Sequence, residues 1–215
     1  LQAVVGTYKS HQIDRSASLH ETRSSPAGSA SPKGHRPLNV SLRRLVDVDL
    51  MTPWYARFIN RSLQIKRTII ISGGQETGKS TLLNALIDLL PRDQRIVAID
   101  DPDEDLPVLR DRAFTVHLKA KRGTPARTAV FRKAADMRPT WIVVGEVVRR
   151  DGPGFLDSLT AGVTGGLATV QALEPETALN EWLGMHKPAE EQIKRLNPLV
   201  VHLVRDQQDR PRVSR

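Results

Sequence analysis

Apolar positions along this 215-residue chain fall into two rhythms. Thr68–Ile71, Arg95–Ile99 and Trp141–Val144 are short, largely β-branched runs, the pattern of strands covered on both faces. Elsewhere apolar residues recur at helical spacing. Leu82, Leu83, Leu86, Leu89 and Leu90 form one such set, stopped by Pro91. Thr52–Ile65 forms another, with Thr52 as N-cap and Pro53 at its first position. Further helices are expected at about Thr128–Met137, Gly154–Ala161, Glu176–Met185 and Ala189–Leu196. Thr115–Ala120 alternates like a half-exposed strand. More strands are expected at Leu38–Leu42, at Leu167–Ala172 and, closing the chain, at Leu199–Val204. Alternating strand and helix predicts an α/β fold, a mostly parallel sheet with helices on both faces.

One stretch stands apart. Ser10–Pro37 is rich in Ser, Pro, Gly and His and nearly devoid of large apolar side chains. Such a composition buries too little surface to order itself and reads as a linker. It follows a possible short strand at Leu1–Val5 that has no local partner. The expected division is therefore 1–37, strand remnant plus linker, and 38–215, one domain.

Composition narrows the classes. Cysteine is absent, so there is no disulfide and no thiolate metal site, which suits a reducing, cytoplasmic setting. No apolar run is long enough to cross a bilayer as a helix. The first residue is Leu rather than Met, which suggests a fragment. The net charge of +8 admits an anionic partner. Basic residues are nevertheless scattered, and aromatics make up 4% of the chain, so no base-stacking platform and no specific nucleic-acid binding are expected.

The densest chemical signal lies between the strand at Thr68–Ile71 and the Leu-rich helix. Gly73, Gly74, Gln75, Glu76, Thr77, Gly78, Lys79 and Ser80 satisfy GxxxxGK[ST], the phosphate-binding loop, and Thr81 follows in the helix. Glycines let backbone N–H groups curl around a polyphosphate, and the helix N-terminus adds partial positive charge. Lys79 is placed to reach β- and γ-phosphates, and the Ser80 hydroxyl to take one Mg²⁺ position.

Hydrolysis also needs an acid near the metal and a group that orients water. In parallel sheets such groups sit at the carboxyl ends of strands beside the loop. Asp100, Asp101 and Glu104 follow one strand, and Glu146 ends another. A loop acid is most often simply solvated. Glu146 differs because it directly terminates the apolar run Ile142–Gly145.

Over about Leu38–Val204, in this order, the segments resemble the traffic ATPases of type II and type IV secretion, which include pilus-assembly and conjugation motors. GGQETGKSTLLNAL is similar to that family's GGTGSGKTTLLNAL, and RIVAIDDPDEDL to its Asp box RIVTIEDxxEL. MRPTWIVVGEV is similar to the variant Walker B string MRPDRIIVGEV, and AGVTGGLATVQA to the His box TGHDGSLATIHA. The resemblance implies a RecA-like P-loop ATPase using ATP and Mg²⁺. Glu146 is then catalytic with Glu104 and Lys79, and Asp101 joins Ser80 near the metal. It also implies a homo-oligomer, usually a hexameric ring, working with secretion or pilus platform proteins at the cytoplasmic face of the membrane. Residues 1–37 would then hold a remnant of an N-terminal domain, and the C-terminus would stop short of the family's.

Departures from the pattern are concentrated in its basic groups. Val163 and Gln171 stand where the His box has histidines, Val148 where an arginine follows GEV, and Asp136 where the helix before MRP carries an arginine. Lys121 occupies the basic position of the family's LEAR stretch, with Arg122 next to it. Gln171 can hydrogen-bond a phosphate but carries no charge. Lys121, Arg132, Arg138 and Gln171 are the candidates for phosphate or intersubunit contacts. The alternative is a degenerate nucleotide-binding subunit with little turnover. A P-loop kinase and a nucleic-acid motor are further rivals, the former without a clear Arg-rich lid.

Overall fold

The computed structural model describes residues 40–102, 106, 109, 112–175, 177–179 and 189–214. The expected strand at Leu1–Val5, the linker, Glu104 and most of the helix expected at Glu176–Met185 lie outside them. The strands are β1 (Ile69–Gly73), β2 (Ile96–Asp100), β3 (Thr115–Lys119), β4 (Trp141–Val144), β5 (Gly165–Gln171), β6 (Leu199–Arg205) and β7 (Pro211–Val213). They form one sheet in the order β3-β2-β4-β5-β1-β6-β7. Every pairing is parallel except β6 with β7.

Single-residue alternation inside the apolar runs builds a core on each face. Ile69, Ile71, Ala98, Val143 and Leu167 point to the side covered by α1 (Leu42–Asp47), α2 (Pro53–Gln64) and α3 (Lys79–Asp88). Ile70, Val97, Ile99, Ile142, Val144 and Ala168 point to the side covered by α4 (Pro125–Asp136), α5 (Gly152–Thr160) and α6 (Ala189–Leu196). On that side Phe131 of α4 meets Phe155 of α5 with ring centroids 5.9 Å apart. Both rings are fully buried, each stabilising the fold by about 1.5–3 kcal/mol relative to exposure.

Two expectations are corrected. Leu38–Leu42 does not end in a strand: the Ser41 hydroxyl accepts from the Arg44 amide and caps α1, whose Leu42 and Leu45 are buried at helical spacing. A five-residue alternation is too short to separate the two periods, and the cap decides. Nor does β6 close the sheet. Asp206 accepts the amides of Gln208 and Arg210, both at 2.9 Å, and turns the chain into the antiparallel β7. The Val213 amide then donates to the Leu50 carbonyl at 2.7 Å, tying β7 to the α1–α2 connection. Among the described residues no helix is long and apolar enough to cross a membrane.

Candidate active site

The parallel register aligns the carboxyl ends of β1, β2, β4 and β5 along one edge of the sheet, and the site is assembled there. The phosphate loop leaves β1 at Gly73, whose φ is 151°. A Cβ at Gly73 would stand 2.5 Å from the Leu203 carbonyl oxygen and 2.7 Å from Thr77 Oγ1, so the close approach of β6 excludes a side chain. Gly78, with a left-handed φ of 90°, is the N-cap of α3. Thr77 donates its hydroxyl to the Gly74 carbonyl at 3.0 Å, and Lys79 Nζ donates to the same oxygen. From outside the loop, Arg205 donates to the Glu76 carbonyl at 2.7 Å. Burial pulls the Lys79 ammonium below its ordinary pKa, and the nearby Glu146 carboxylate opposes that shift.

Opposite the loop lies a charged network. Asp101 follows β2, and its carboxylate accepts the Arg122 backbone amide at 3.0 Å and faces Arg122 Nε at 3.3 Å. The same guanidinium also ion-pairs with Glu146 through Nη1. Asp100, 2% exposed, pairs with His117 across β2–β3 at 3.2 Å. Below these groups Arg127 is fully buried. It donates to the Ala120 carbonyl at 2.6 Å and the Glu146 carbonyl at 3.0 Å, and its Nε lies 3.2 Å from Asp151. The Arg127–Asp151 contact is an ion pair without hydrogen-bond alignment at those two atoms. Thr169 of β5 braces the adjoining turn by donating to the Gly145 carbonyl at 2.6 Å.

Loop and network enclose a cavity of about 620 Å³. Gln75, Glu76, Lys79, Ser80, Asp101, Glu146 and Gln171, all singled out in the sequence, line it together. Thr81 is exposed on the first turn of α3 and does not line it. Lys121 is exposed, and Arg122 and Arg127 line the wall instead. Arg132 is exposed and lines a separate groove with Arg150, and Arg138 is exposed beyond the end of α4 with φ 47°. Sequence reasoning gives Arg122 no role and passes over Arg127. A guanidinium flanked by Gly123, Thr124 and Pro125 resembles any loop arginine until β2 and β4 bring their acids to it.

The residues present fit a magnesium–nucleotide. Asn84 Oδ1, in the cavity wall, is buried without a hydrogen-bond partner, the loop is shaped by contacts that exclude a Cβ, and Ser80, Asp101 and Glu146 are hard oxygen donors.

Parallel sheet, glycine loop and lysine-bearing helix together define an α/β protein of the P-loop ATPase fold. Residues 35–210 match the family described as Type II/IV secretion system protein, and the chain belongs to that family. Among its relatives, the type IV secretion system protein PtlH of Bordetella pertussis is 32% identical over 142 residues, 60% of this chain and 41% of that protein. A putative conjugal transfer protein of Mycobacterium tuberculosis is 29% identical over 192 residues, 83% of this chain and 54% of the relative. Among solved structures, the VirB11 ATPase of the Brucella suis type IV secretion system, crystallised with sulphate, aligns with a TM-score of 0.63 at 25% identity. That alignment covers 88% of this chain and 60% of VirB11. The chain spans about half the length of the curated relatives it matches.

Proposed function

We propose that the chain is the ATP-binding and ATP-hydrolysing motor domain of a type II/IV secretion or pilus-assembly machine. The observation that carries this reading is the convergence of Lys79, Ser80, Asp101 and Glu146 on one cavity at the strand ends. Loop amides and the α3 N-terminus would hold the β- and γ-phosphates, and Lys79 would leave the Gly74 carbonyl to neutralise them. Ser80 and Asp101 would hold Mg²⁺, which when bound supplies charge neutralisation on the phosphate oxygens. Glu146 would orient the attacking water and take its proton, with Glu104 assisting. Gln171, on the rim, would hydrogen-bond the terminal phosphate. Family membership supports an oligomeric ring, with Lys121, Arg132 and Arg138 as candidate phosphate or intersubunit contacts, working against platform proteins at the cytoplasmic face of a membrane.

Steady-state ATP turnover of the wild type, Lys79→Ala and Glu146→Gln tests hydrolysis. Glu146→Gln should lose about 10²–10⁴-fold in rate while still binding nucleotide. Lys79→Ala should lose both. Equal, near-background rates in all three, with nucleotide binding intact in the wild type, would select the second reading, a nucleotide-binding subunit with little turnover. That reading is favoured by the uncharged Gln171 at the rim and by the engagement of Glu146 with Arg122.

A further inference from the structure

Among the described residues, Arg122 is the one that joins the Asp101 and Glu146 carboxylates. Its amide and Nε face Asp101 Oδ2 at 3.0 and 3.3 Å, and its Nη1 pairs with Glu146 Oε2. Asp101 follows β2 and Glu146 follows β4, neighbouring strands whose ends are held apart by the sheet. The guanidinium therefore acts as the cross-link between them. All three side chains line the cavity that also holds Lys79 and Ser80.

We propose that Arg122 is a resident counter-ion that a divalent metal must displace: Arg122 and the metal are mutually exclusive partners of the Asp101–Glu146 pair. The proposal rests on the MgATP reading above and deepens it. A guanidinium stays charged at any working pH and has no acceptor lone pair, so it can satisfy the two carboxylates but cannot share a metal's coordination shell with them. Metal affinity in the absence of nucleotide is then held down, because binding must break two charge-assisted contacts. When a polyphosphate enters, its oxygens give the guanidinium a new bidentate partner. Arg122 can transfer to the nucleotide, releasing Glu146 to orient water and withdrawing the guanidinium's charge from Asp101. Arg122 is thus a positioning residue, and it makes metal and nucleotide binding cooperative.

The test is binding of Mn²⁺ alone to the full chain, read from the electron paramagnetic resonance signal of the free ion. Wild type is compared with Arg122→Gln and Arg122→Lys. Removing one unit charge next to two carboxylates should tighten Mn²⁺ binding by at least about tenfold in Arg122→Gln. Arg122→Lys, a point charge unable to bridge both acids, should fall between. Mn²⁺ affinity in Arg122→Gln equal to or weaker than wild type, with circular dichroism showing a folded protein, overturns the proposal. If Arg122→Gln unfolds, the Arg122→Lys value decides on the same criterion. Binding of a fluorescent ADP analogue in saturating Mg²⁺, to wild type and Lys79→Ala, separately tests the nucleotide reading. Loss of that binding in both would remove the MgATP reading, while the Mn²⁺ comparison would still decide whether Arg122 competes with metal.

Discussion

The two walls of the cavity are built by different physics. The loop wall, from β1 to α3, takes its shape from backbone: a glycine where β6 approaches, a left-handed glycine cap, and a helix anchored by the buried Leu82, Leu83 and Leu86. Within the loop, Thr77 and Lys79 both reach back to the Gly74 carbonyl, and Leu203 and Arg205 of β6 close on it from outside. The acidic wall takes its shape from ion pairs between distant segments. Arg122 and Glu146 are 24 residues apart, and Gly123 and Asp151, joined by an amide-to-carboxylate hydrogen bond, 28 apart. A wall shaped by backbone needs no counter-ion to set its geometry. A wall of paired charges holds the same acids that a metal would use, so ligand binding must rearrange it.

The contrast is most easily broken at Arg127. Arg127→Met removes the donor to the Ala120 and Glu146 carbonyls and leaves the 1%-exposed Asp151 without its cation. Breaking one partner of a buried pair should cost about 3–5 kcal/mol in urea unfolding, and adding Asp151→Leu should recover much of it. Burial pushes the Asp151 carboxyl above its ordinary pKa even with Arg127 and the Gly123 and Val148 amides opposing. Its ionisation therefore opposes folding, and this contribution improves as pH falls through the raised value towards the unfolded one. In Arg127→Met the opposition is larger, so the deficit should shrink on acidification. A single-mutant loss below about 1 kcal/mol would show that this wall is not held by its ion pairs.

On the loop wall the matching change is Gly73→Ala. The new Cβ would meet the backbone of Leu203, which cannot swing aside, at a φ disfavoured for L-residues. A cost of about 1–3 kcal/mol is expected in unfolding, with weakened binding of a fluorescent ADP analogue. Gly145, which would place its Cβ in open space, serves as the control, and Gly145→Ala should stay within about 0.5 kcal/mol of wild type. Equal costs at the two glycines would mean that β6 does not confine the loop.

The same contrast explains what is legible in the sequence. Apart from Leu38–Leu42 and the undescribed Leu1–Val5, the strand runs, the Thr52–Pro53 helix start and the phosphate loop are local patterns, and each appears within a residue or two of its expected place. Helix α4 starts three residues earlier than its apolar spacing predicts. It begins at Pro125, the first helical position after Thr124, where the fixed φ of proline suits a helix but adds nothing to the apolar spacing. Glu146 is visible because it interrupts an apolar run. Arg122 and Arg127 are not: nothing local separates them from the exposed Lys121 or Arg132, and their roles exist only once strand order brings β4 beside β2. The β6–β7 hairpin escapes a sequence reading for a similar reason. Its turn is specified by the Asp206 carboxylate gathering Arg210 and Arg212, not by glycine.

That hairpin supplies the smallest effect and the finest test of how the loop wall is clamped. Hydrogen bonding from Arg212, with the Arg210 amide next, holds the Asp206 carboxyl far below the usual carboxylate range. A depressed carboxyl contributes stability that is fully present above its unfolded value and lost as pH falls through the folded one. The Tm difference between wild type and Asp206→Asn should therefore be constant from about pH 8 to 5 and shrink only below about pH 4. Because Arg205, at the end of β6, donates to the Glu76 carbonyl, loosening the hairpin should also weaken nucleotide binding slightly above that range. Calorimetric scans across pH check the first expectation, and nucleotide titration at neutral pH checks the second. A Tm difference that grew on acidification would reverse the sign assigned to Asp206. Unchanged nucleotide affinity alongside the expected Tm profile would separate the turn from the clamp, leaving Gly73 and Leu203 as the contact that shapes the loop.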